Sequence, residues 1–364
     1  MGDEPPASRG RIASLDQFRG YTVAGMLLVN FVGGLDAFHP IFKHHNTYCS
    51  YADTIMPQFF FAVGFSYRLT FLRRLAELGR REASLAVVRR ALGLILVGFL
   101  LYHLDGKVKT WDELRSLGVS GFLASAFRRE LCQTLVQIAI TSIWILPVVA
   151  SSARARVLYL IGGAILHLVF SKWFYLDYAW KTPVIDGGWL GILSWAIPML
   201  AGTLAYDAIA ARDDSGRPRA SAVPTLLAWG AVMMLAGYGL ASMRGLAAPP
   251  FTPPAEGYVV DLWTMSQRTG SVSYMTFAAG VSLAVYALFV LACDALGWSI
   301  GLFRTFGTNA LAAYILHGMV AAAVRPYLPR DAPLWYAIAG TLLYFAICWG
   351  LIRYLENNRL FLKL

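Results

Sequence analysis

The chain has 364 residues, of which 57% are hydrophobic and only 14% are charged, and its mean hydropathy is +0.55. A soluble enzyme carries about a quarter charged residues, so this composition excludes an ordinary soluble domain. The net charge of +10 is better explained by loops that orient a membrane protein and attract anionic lipid than by a nucleic-acid surface. The sequence therefore predicts an all-α, polytopic helical membrane protein that contacts membrane lipid and has no nucleic-acid partner.

Apolar runs of about 20 residues, the length that crosses a bilayer as a helix, recur along the chain. They predict about ten transmembrane helices in a single domain over residues 18–355. A cytoplasmic segment 1–17 precedes this domain, and a cytoplasmic tail 356–364 follows it. The predicted spans are 18–36, 53–72, 86–104, 131–150, 154–171, 189–207, 222–242, 269–293, 305–324 and 333–355.

Two polar connections, 105–130 and 243–268, are longer than the others. The first is predicted to carry a short surface helix around Trp111–Leu117. The second contains PPFTPP, which favours an extended segment over a helix. The four cysteines show no Cys-x-x-Cys spacing, so we expect buried apolar side chains rather than disulfides or a metal site. These cysteines are Cys49, Cys132, Cys293 and Cys348.

The distribution of Lys and Arg predicts the orientation of the chain. The densest basic cluster surrounds the connection between the second and third spans, and it consists of Arg73, Arg74, Arg80, Arg81, Arg89 and Arg90. Because cytoplasmic loops are enriched in basic residues, this connection and both termini are predicted to be cytoplasmic. The loop 37–52 then faces the opposite side. A short polar N-terminus without a cleavable targeting segment favours a bacterial inner membrane.

Ionisable side chains gather just before the second span, in the stretch FKHHNTYCSYADTIMPQFF at 42–60. Asp53 alone would be an ordinary residue of the first helical turn. Two histidines, His44 and His45, precede it by only eight or nine residues. A carboxylate beside an imidazole fixes its tautomer and supports charge on the ring, as in a catalytic base or nucleophile. Asn30, in the outer half of the first span, must face another helix or a cavity because lipid cannot satisfy its amide.

A second group of polar residues lies in the ninth span, which reads FGTNALAAYILHGM. Tyr314 and His317 are three residues apart and can share one helix face, with Asn309 preceding them. No His-x-x-x-His or carboxylate–histidine spacing supports a zinc site here, and no metal is expected. Asp186 precedes two glycines at the start of the sixth span, where a turn is the ordinary explanation. It is predicted to face the same side as the histidines and could close one wall of a pocket.

Three of these stretches, taken in order, resemble the heparan-alpha-glucosaminide N-acetyltransferase family and its bacterial relatives, a group of multispanning membrane acyltransferases. They are DQFRGYTVAGMLLVNFVGG, FKHHNTYCSYADTIMPQFFFAVGFS and FGTNALAAYILH. The matching positions are Asp16, Phe18, Arg19, Gly20, Asn30, Gly33, Gly34, Ala52, Asp53, Pro57, Gly307, Asn309, Tyr314 and His317. The motifs cover the first quarter of the chain and the ninth span, while elsewhere the likeness is mainly the number of spans.

The resemblance implies that acetyl-CoA donates an acyl group from the cytoplasmic side to an amino sugar or other glycan on the opposite side, by N- or O-acetyl transfer. It also suggests a homodimer. The family's catalytic histidine lies in the loop after the first span, and the Phe-Lys-His context matches His44. Because a second histidine follows directly, His44 and His45 both stand as candidates. The histidine acts either as a general base or as a transient acyl carrier.

Acyl transfer to an amine needs a base near the nucleophile and a donor to the carbonyl oxygen, while coenzyme A phosphates need cations. The predicted catalytic residues are His44, His45, Asp53 and Asn30. The predicted substrate-binding residues are Asn309, Tyr314, His317 and Asp186. The predicted coenzyme-binding residues are Arg19, Arg68, Arg73 and Arg74. For the arginine cluster, ordinary orientation of a membrane protein is the competing explanation.

Two other functional classes fit the same polar groups. A membrane transporter or lipid flippase would also place Asn and His side chains inside the bundle, and a non-catalytic relative would keep the scaffold. A transporter is expected to show broken helices or paired inverted halves, and the sequence shows neither clearly.

Overall fold

The computed structural model describes residues 12–103, 108–126, 132–182, 184–215 and 218–362. Within these residues the regular structure is helical, which confirms the all-α prediction. The helices are α1 Ala13–Val32, α2 Tyr51–Tyr102, α3 Trp111–Ala126, α4 Thr134–Ile145, α5 Ala153–Phe170, α6 Leu176–Lys181, α7 Gly191–Asp214, α8 Val223–Ala241, α9 Val272–Phe289, α10 Gly301–Thr308, α11 Ala310–Val324 and α12 Leu334–Asn357. Parts of the predicted terminal segments, residues 1–11 and 363–364, lie outside the described residues. The surface helix predicted around Trp111–Leu117 is observed as the exposed α3.

Six helical segments of the described chain are long and apolar enough to cross a membrane, which makes this an integral membrane protein. The count rises to seven if α10 and α11, which are bent by 98° at Asn309, form one span. The prediction of about ten spans is therefore not confirmed. The second and third predicted spans belong to one 52-residue element, α2, broken at Gly79 with a φ of 81°. The helix α4 has only 12 residues, and α1 carries Asp16 and Arg19 in its first turns, which lowers its apolar character.

The helix α2 lies at the centre of the bundle, in contact with α1, α4, α7 and α9. From Asp53 to Arg74 it rises about 32 Å at 1.5 Å per residue, close to the roughly 30 Å of a bilayer's hydrocarbon core. After the break at Gly79 the second half of α2 continues to Tyr102, whose hydroxyl contacts the hydroxyl of Tyr314 in α11. The first half of α2 thus connects the loop 37–52, called here the histidine loop, to the arginine cluster around the break at Gly79, called here the arginine-rich end.

Glycines allow α2 and α7 to meet backbone to backbone. A Cβ placed on Gly64 would lie 1.8 Å from the carbonyl oxygen of Met199, and one on Gly202 would lie 2.0 Å from that of Phe61. A similar contact joins α1 to α10, where a Cβ on Gly20 would lie 1.7 Å from the carbonyl oxygen of Phe303. Small residues are how membrane helices approach this closely. These contacts fix the close approach of α2 to α7 and of α1 to α10.

Replacing Gly64 by alanine is expected to lower the free energy of unfolding by about 3 kcal/mol, because the added methyl group must push two backbones apart. The measurement is thermal unfolding of the detergent-purified variant. Gly162→Ala in α5 is the matched control, since nothing lies within 4 Å of its Cβ position. Equal melting temperatures for the two variants would show that α2 and α7 do not touch at Gly64.

Candidate functional site

The histidine loop is anchored by the first turn of α2. Ser50 is the N-cap residue, and its hydroxyl oxygen accepts the backbone N–H of Asp53 at 3.2 Å. The carboxylate of Asp53 in turn accepts the backbone N–H of Ser50 at 3.0 Å. This reciprocal pair is a capping box, which satisfies two N–H groups that the helix leaves open. Asp53 is only 1% exposed, so the helix start holds a buried carboxylate in a fixed place.

The imidazole of His44 lies against this carboxylate, with 2.9 Å between its Nδ1 and Oδ1 of Asp53. An ionised carboxylate accepts a hydrogen bond, so Nδ1 carries a proton and Nε2 is the ring nitrogen that can accept one. Tyr274, in α9, donates its hydroxyl to the backbone carbonyl of Asp53 at 2.7 Å. This bond holds the backbone of Asp53 in place. The arrangement is one in which a carboxylate orients a histidine base or nucleophile.

The neighbouring His45 has a different environment. Its Nε2 lies 2.9 Å from the carbonyl oxygen of Pro40, and its ring stacks on Tyr48 with 4.3 Å between centroids. Only its backbone N–H contacts Asp53, at 3.3 Å. His45 therefore helps to shape the loop, whereas His44 presents its ring to the cavity described next.

A cavity of about 250 Å³ lies beside His44, between the loop, α1, α2, α4 and α11. Its wall is mainly apolar, with a few polar side chains that converge on one space. The polar residues that line it are Asn30, His44, Thr134, Asp186, Gln267 and Tyr314. Apolar pockets with a small number of convergent polar groups are typical of binding and active sites. The structure thus brings together four predicted site residues from four separate segments of the chain.

Two titratable residues in loops, His44 and Asp186, face this cavity. Burial alone lowers the pKa of His44, but the hydrogen bond to Asp53 and the charge of Asp53 outweigh it. With further contributions from Asp186 and Gln267, the net pKa of His44 is raised above its ordinary 6.5. Burial raises the pKa of Asp186 to about 6, although the hydrogen bond from Gln267 and the charge of His44 oppose this. Burial therefore brings the Asp186 carboxyl into the range where it can exchange a proton near neutral pH.

A second cavity, of about 460 Å³, lies toward the arginine-rich end of α2. Arg19, Arg74 and Arg90 line it, together with the hydroxyl-bearing Ser66, Thr70 and Thr308. Phe59 and Tyr314 belong to the walls of both cavities. The two spaces therefore adjoin, one with three arginines and the other with the His44–Asp53 pair.

Two of the four predicted coenzyme-binding arginines do not line this second cavity. Arg68 is buried, and its guanidinium binds the carboxylate of Asp207 and the carbonyl oxygen of Val149. Arg73 is exposed on the outer side of α2. Arg19 and Arg74 line the cavity. Arg90 joins them, and its place in the sequence cluster is the signal that points to it.

Asn309 and His317, which share the ninth predicted span with Tyr314, do not line the cavity beside His44. Asn309 stands at the bend between α10 and α11, where its amide donates to the carbonyl of Leu360 at 2.9 Å and accepts the N–H of Leu362 at 3.1 Å. His317 turns its Nδ1 to the carbonyl oxygen of Tyr314 in its own helix. The structure thus separates both from His44, and they contact the chain itself.

Sequence reasoning missed Gln267 and Thr134 as cavity residues. Gln267 lies at the end of the polar connection 243–268, and its Nε2 donates to Oδ1 of Asp186 at 2.8 Å. No motif marks either residue, and only the fold brings them to the cavity. No three His, Cys, Asp or Glu side chains of the described part of the chain converge to hold a metal ion.

Comparison with known protein families gives a match. The model described as "Heparan-alpha-glucosaminide N-acetyltransferase, catalytic" matches residues 11–242, well over half of the chain. The matched region contains α1, the histidine loop and all of α2, while α11 with Tyr314 lies beyond it. Comparison with curated protein sequences finds no match. The chain belongs to the heparan-alpha-glucosaminide N-acetyltransferase family of membrane acetyltransferases.

Proposed function

We propose that this protein transfers an acetyl group from acetyl-CoA, bound in the arginine-lined cavity, to an amino-sugar or other glycan acceptor in the His44 cavity. The observation that carries the proposal is the shared wall of the two cavities at Phe59 and Tyr314. A coenzyme whose phosphates lie near the arginines could extend its thioester past Tyr314 to the imidazole of His44. Donor and acceptor would then meet at one ring nitrogen.

In this function His44 performs the proton chemistry. As general base, Nε2 takes a proton from the acceptor amine while the nitrogen attacks the thioester carbon, the C–N bond forms and the C–S bond breaks. As acyl carrier, Nε2 itself attacks the thioester first and then yields the acyl group to the acceptor. Both routes need Nδ1–H held by Asp53, which supports the positive charge that the ring gains. Isolation of acetylated protein after a pulse of labelled acetyl-CoA without acceptor distinguishes the carrier route.

Negative charge develops on the carbonyl oxygen during either route, and a donor near it lowers the barrier. Asn30 and Tyr314 both line the His44 cavity and could donate. Asn309 and His317, which contact the chain itself, would support the site through the position of α11. The hydroxyl contact between Tyr314 and Tyr102 ties α11 to the end of α2.

The arginines of the second cavity are proposed to bind the coenzyme's phosphates. Arg74→Ala is expected to raise KM for acetyl-CoA by about 10-fold to 100-fold with little change in kcat, because a charge-assisted hydrogen bond contributes about 1.5–3 kcal/mol. Arg73→Ala is the matched control, since Arg73 is the exposed neighbour on the same helix. Equal KM values for the two variants would indicate that the arginines only orient the chain in the membrane.

The overall proposal is tested by acetyl-CoA binding and coenzyme A release with purified protein. Wild type should bind acetyl-CoA in a calorimeter and release free coenzyme A when glucosamine is added. His44→Ala should bind the donor but release no coenzyme A above background. A wild-type protein that neither binds acyl-CoA nor releases coenzyme A with any glycan acceptor would overturn the proposal.

The proposal includes an orientation for the chain. The arginine-lined cavity would face the cytoplasm, together with both termini, and the histidine loop would face the other side of a bacterial inner membrane, with lipid around the apolar helices. The excess of Arg and Lys at the α2 break supports this orientation. The family resemblance also supports a homodimer.

Transport is the second candidate function, because one observation favours it. The α10–α11 pair is bent by 98° at Asn309, and transporters commonly build their sites at broken helices. Asn309 holds Leu360 and Leu362 rather than facing the His44 cavity. Uptake of labelled glucosamine into protein-containing vesicles without acetyl-CoA would support transport, whereas uptake only of acetylated product would support the transferase.

A further inference from the structure

The loop at Asp186 brings a second carboxylate into the wall of the His44 cavity. Three consecutive residues adopt left-handed backbone angles, with φ values of 53° at Asp186, 76° at Gly187 and 51° at Gly188. Left-handed angles are ordinary for glycine but uncommon for aspartate, and strain of this kind concentrates at functional sites. Asp186 is 5% exposed and lines the cavity.

Several contacts hold this loop in its conformation. The indole N–H of Trp195 donates to the carbonyl oxygen of Asp186 at 2.7 Å. The hydroxyl of Tyr175 donates to the carbonyl of Gly187, and the N–H of Gly187 donates to the carbonyl of Arg268 at 3.1 Å. The amide of Gln267 then fixes one carboxylate oxygen. The fold therefore holds the Asp186 carboxylate in a fixed place in the cavity wall.

The two carboxylates differ in what balances their charge. Asp53 has the imidazole of His44 and the start of α2. Among the described residues no cationic side chain forms an ion pair with Asp186, and its partner is the neutral amide of Gln267. The nearby Arg268 is directed elsewhere, because its guanidinium donates to the carbonyl of Ala179 at 2.9 Å and lies 5.2 Å from the Trp180 ring centre.

The titratable groups that interact electrostatically with Asp186 come from four parts of the fold. They are His44 in the loop, Asp53 and Tyr102 in α2, Tyr274 in α9 and Tyr314 in α11. When His44 is neutral, none of these groups places a positive charge beside the Asp186 carboxylate. A buried carboxylate without a charged partner is unfavourable, and a bound cation would balance it.

We infer that Asp186, positioned by Gln267, binds the protonated amino group of the acceptor and removes its proton, so that the site selects amine over hydroxyl acceptors. This inference rests on the proposed function and deepens it. The carboxylate takes one proton from the ammonium group, and the neutral amine forms the C–N bond as the thioester C–S bond breaks. The electron pair leaves on the coenzyme A thiolate, which receives the second amine proton through Nε2 of His44. The proton on Asp186 then passes to water.

The test compares Asp186→Asn with wild type, using glucosamine and glucose as acceptors and acetyl-CoA as donor. Asparagine adopts left-handed angles readily, so the loop should keep its shape. We expect kcat/KM for glucosamine to fall about 100-fold near pH 6.5, the scale of general-base catalysis. The deficit should shrink as the pH rises and the free amine becomes abundant. Asp177→Asn, an exposed carboxylate paired with Lys181 at 3.5 Å, should keep wild-type kinetics.

A pH-independent deficit in Asp186→Asn, or equal use of glucose and glucosamine by wild type, would overturn the inference. A trimethylammonium derivative of glucosamine provides a readout without turnover, since it carries the charge but cannot react. Calorimetry should show binding to wild type and a loss of about 10-fold or more in Asp186→Asn, because the variant lacks the carboxylate charge that attracts the quaternary ammonium. Absence of coenzyme A release from wild type would refute the proposed function, and this binding comparison would still decide the role of Asp186.

Discussion

His44→Ala is expected to lower kcat for acetyl transfer by about 1,000-fold or more, because the variant loses the base or nucleophile at the junction of donor and acceptor. The adjacent variant His45→Ala should stay within about tenfold of wild type, since it loses one hydrogen bond, to the carbonyl of Pro40, and a stacking contact. The measurement is steady-state release of coenzyme A with glucosamine as acceptor.

The two histidine variants control for each other because both lie in the same loop. Both should retain wild-type binding of acetyl-CoA, which is proposed to depend on the second cavity. Added imidazole should restore part of the activity of His44→Ala by occupying the space of the lost ring. Full activity in His44→Ala with inactivity in His45→Ala would reverse the assignment.

Asp53→Asn is expected to have the second-largest effect, a loss of about 1,000-fold in kcat/KM. The acid limb of its pH–rate profile, where the rate falls because His44 becomes protonated, should also move to lower pH. Asp53 raises the pKa of His44 against the opposing effect of burial. Once the carboxylate is removed, its raising effect is lost and the pKa of His44 falls, so the imidazole keeps its lone pair at lower pH. The rate on the plateau falls because the charge on the ring is no longer supported.

Ser50→Ala separates this electrostatic effect from the role of Asp53 in the helix start. It removes the N-cap hydroxyl, which costs about 1 kcal/mol of stability, but it keeps the carboxylate beside His44. The acid limb of the pH–rate profile should therefore stay at its wild-type position. An acid limb that stays in place or moves to higher pH in Asp53→Asn would contradict the coupling of the two residues.

The His44–Asp53 pair could be predicted because its geometry is local. Nine residues separate the two, and a helix that begins at Tyr51 necessarily turns the Asp53 carboxylate back toward the preceding loop. The sequence could place Asp186 and Asn30 only on the same side of the membrane. Their meeting around one cavity depends on how α1, α2 and α7 pack, which no spacing within one segment determines.

The ninth span shows where local reasoning does not suffice. The apolar run 305–324 predicts one continuous helix that contains Asn309, but the chain bends by 98° there. The bend turns Asn309 toward Leu360, about 50 residues away along the chain. Arg68 is a similar case, because its partner Asp207 lies 139 residues away. Contacts between distant residues cannot be read from the residues that flank either one.

The glycine contact between α2 and α7 has a consequence for how a group can cross this protein. At Gly64 and Gly202 there is no layer of side chains over which the helices could slide, and backbone atoms touch directly. Such a frame resists the rocking of one half against the other, since close-packed interiors do not deform continuously. Under the proposed function the moving part is therefore the pantetheine arm of the coenzyme. The nucleotide stays on its own side of the membrane, and only a two-carbon fragment travels to the other.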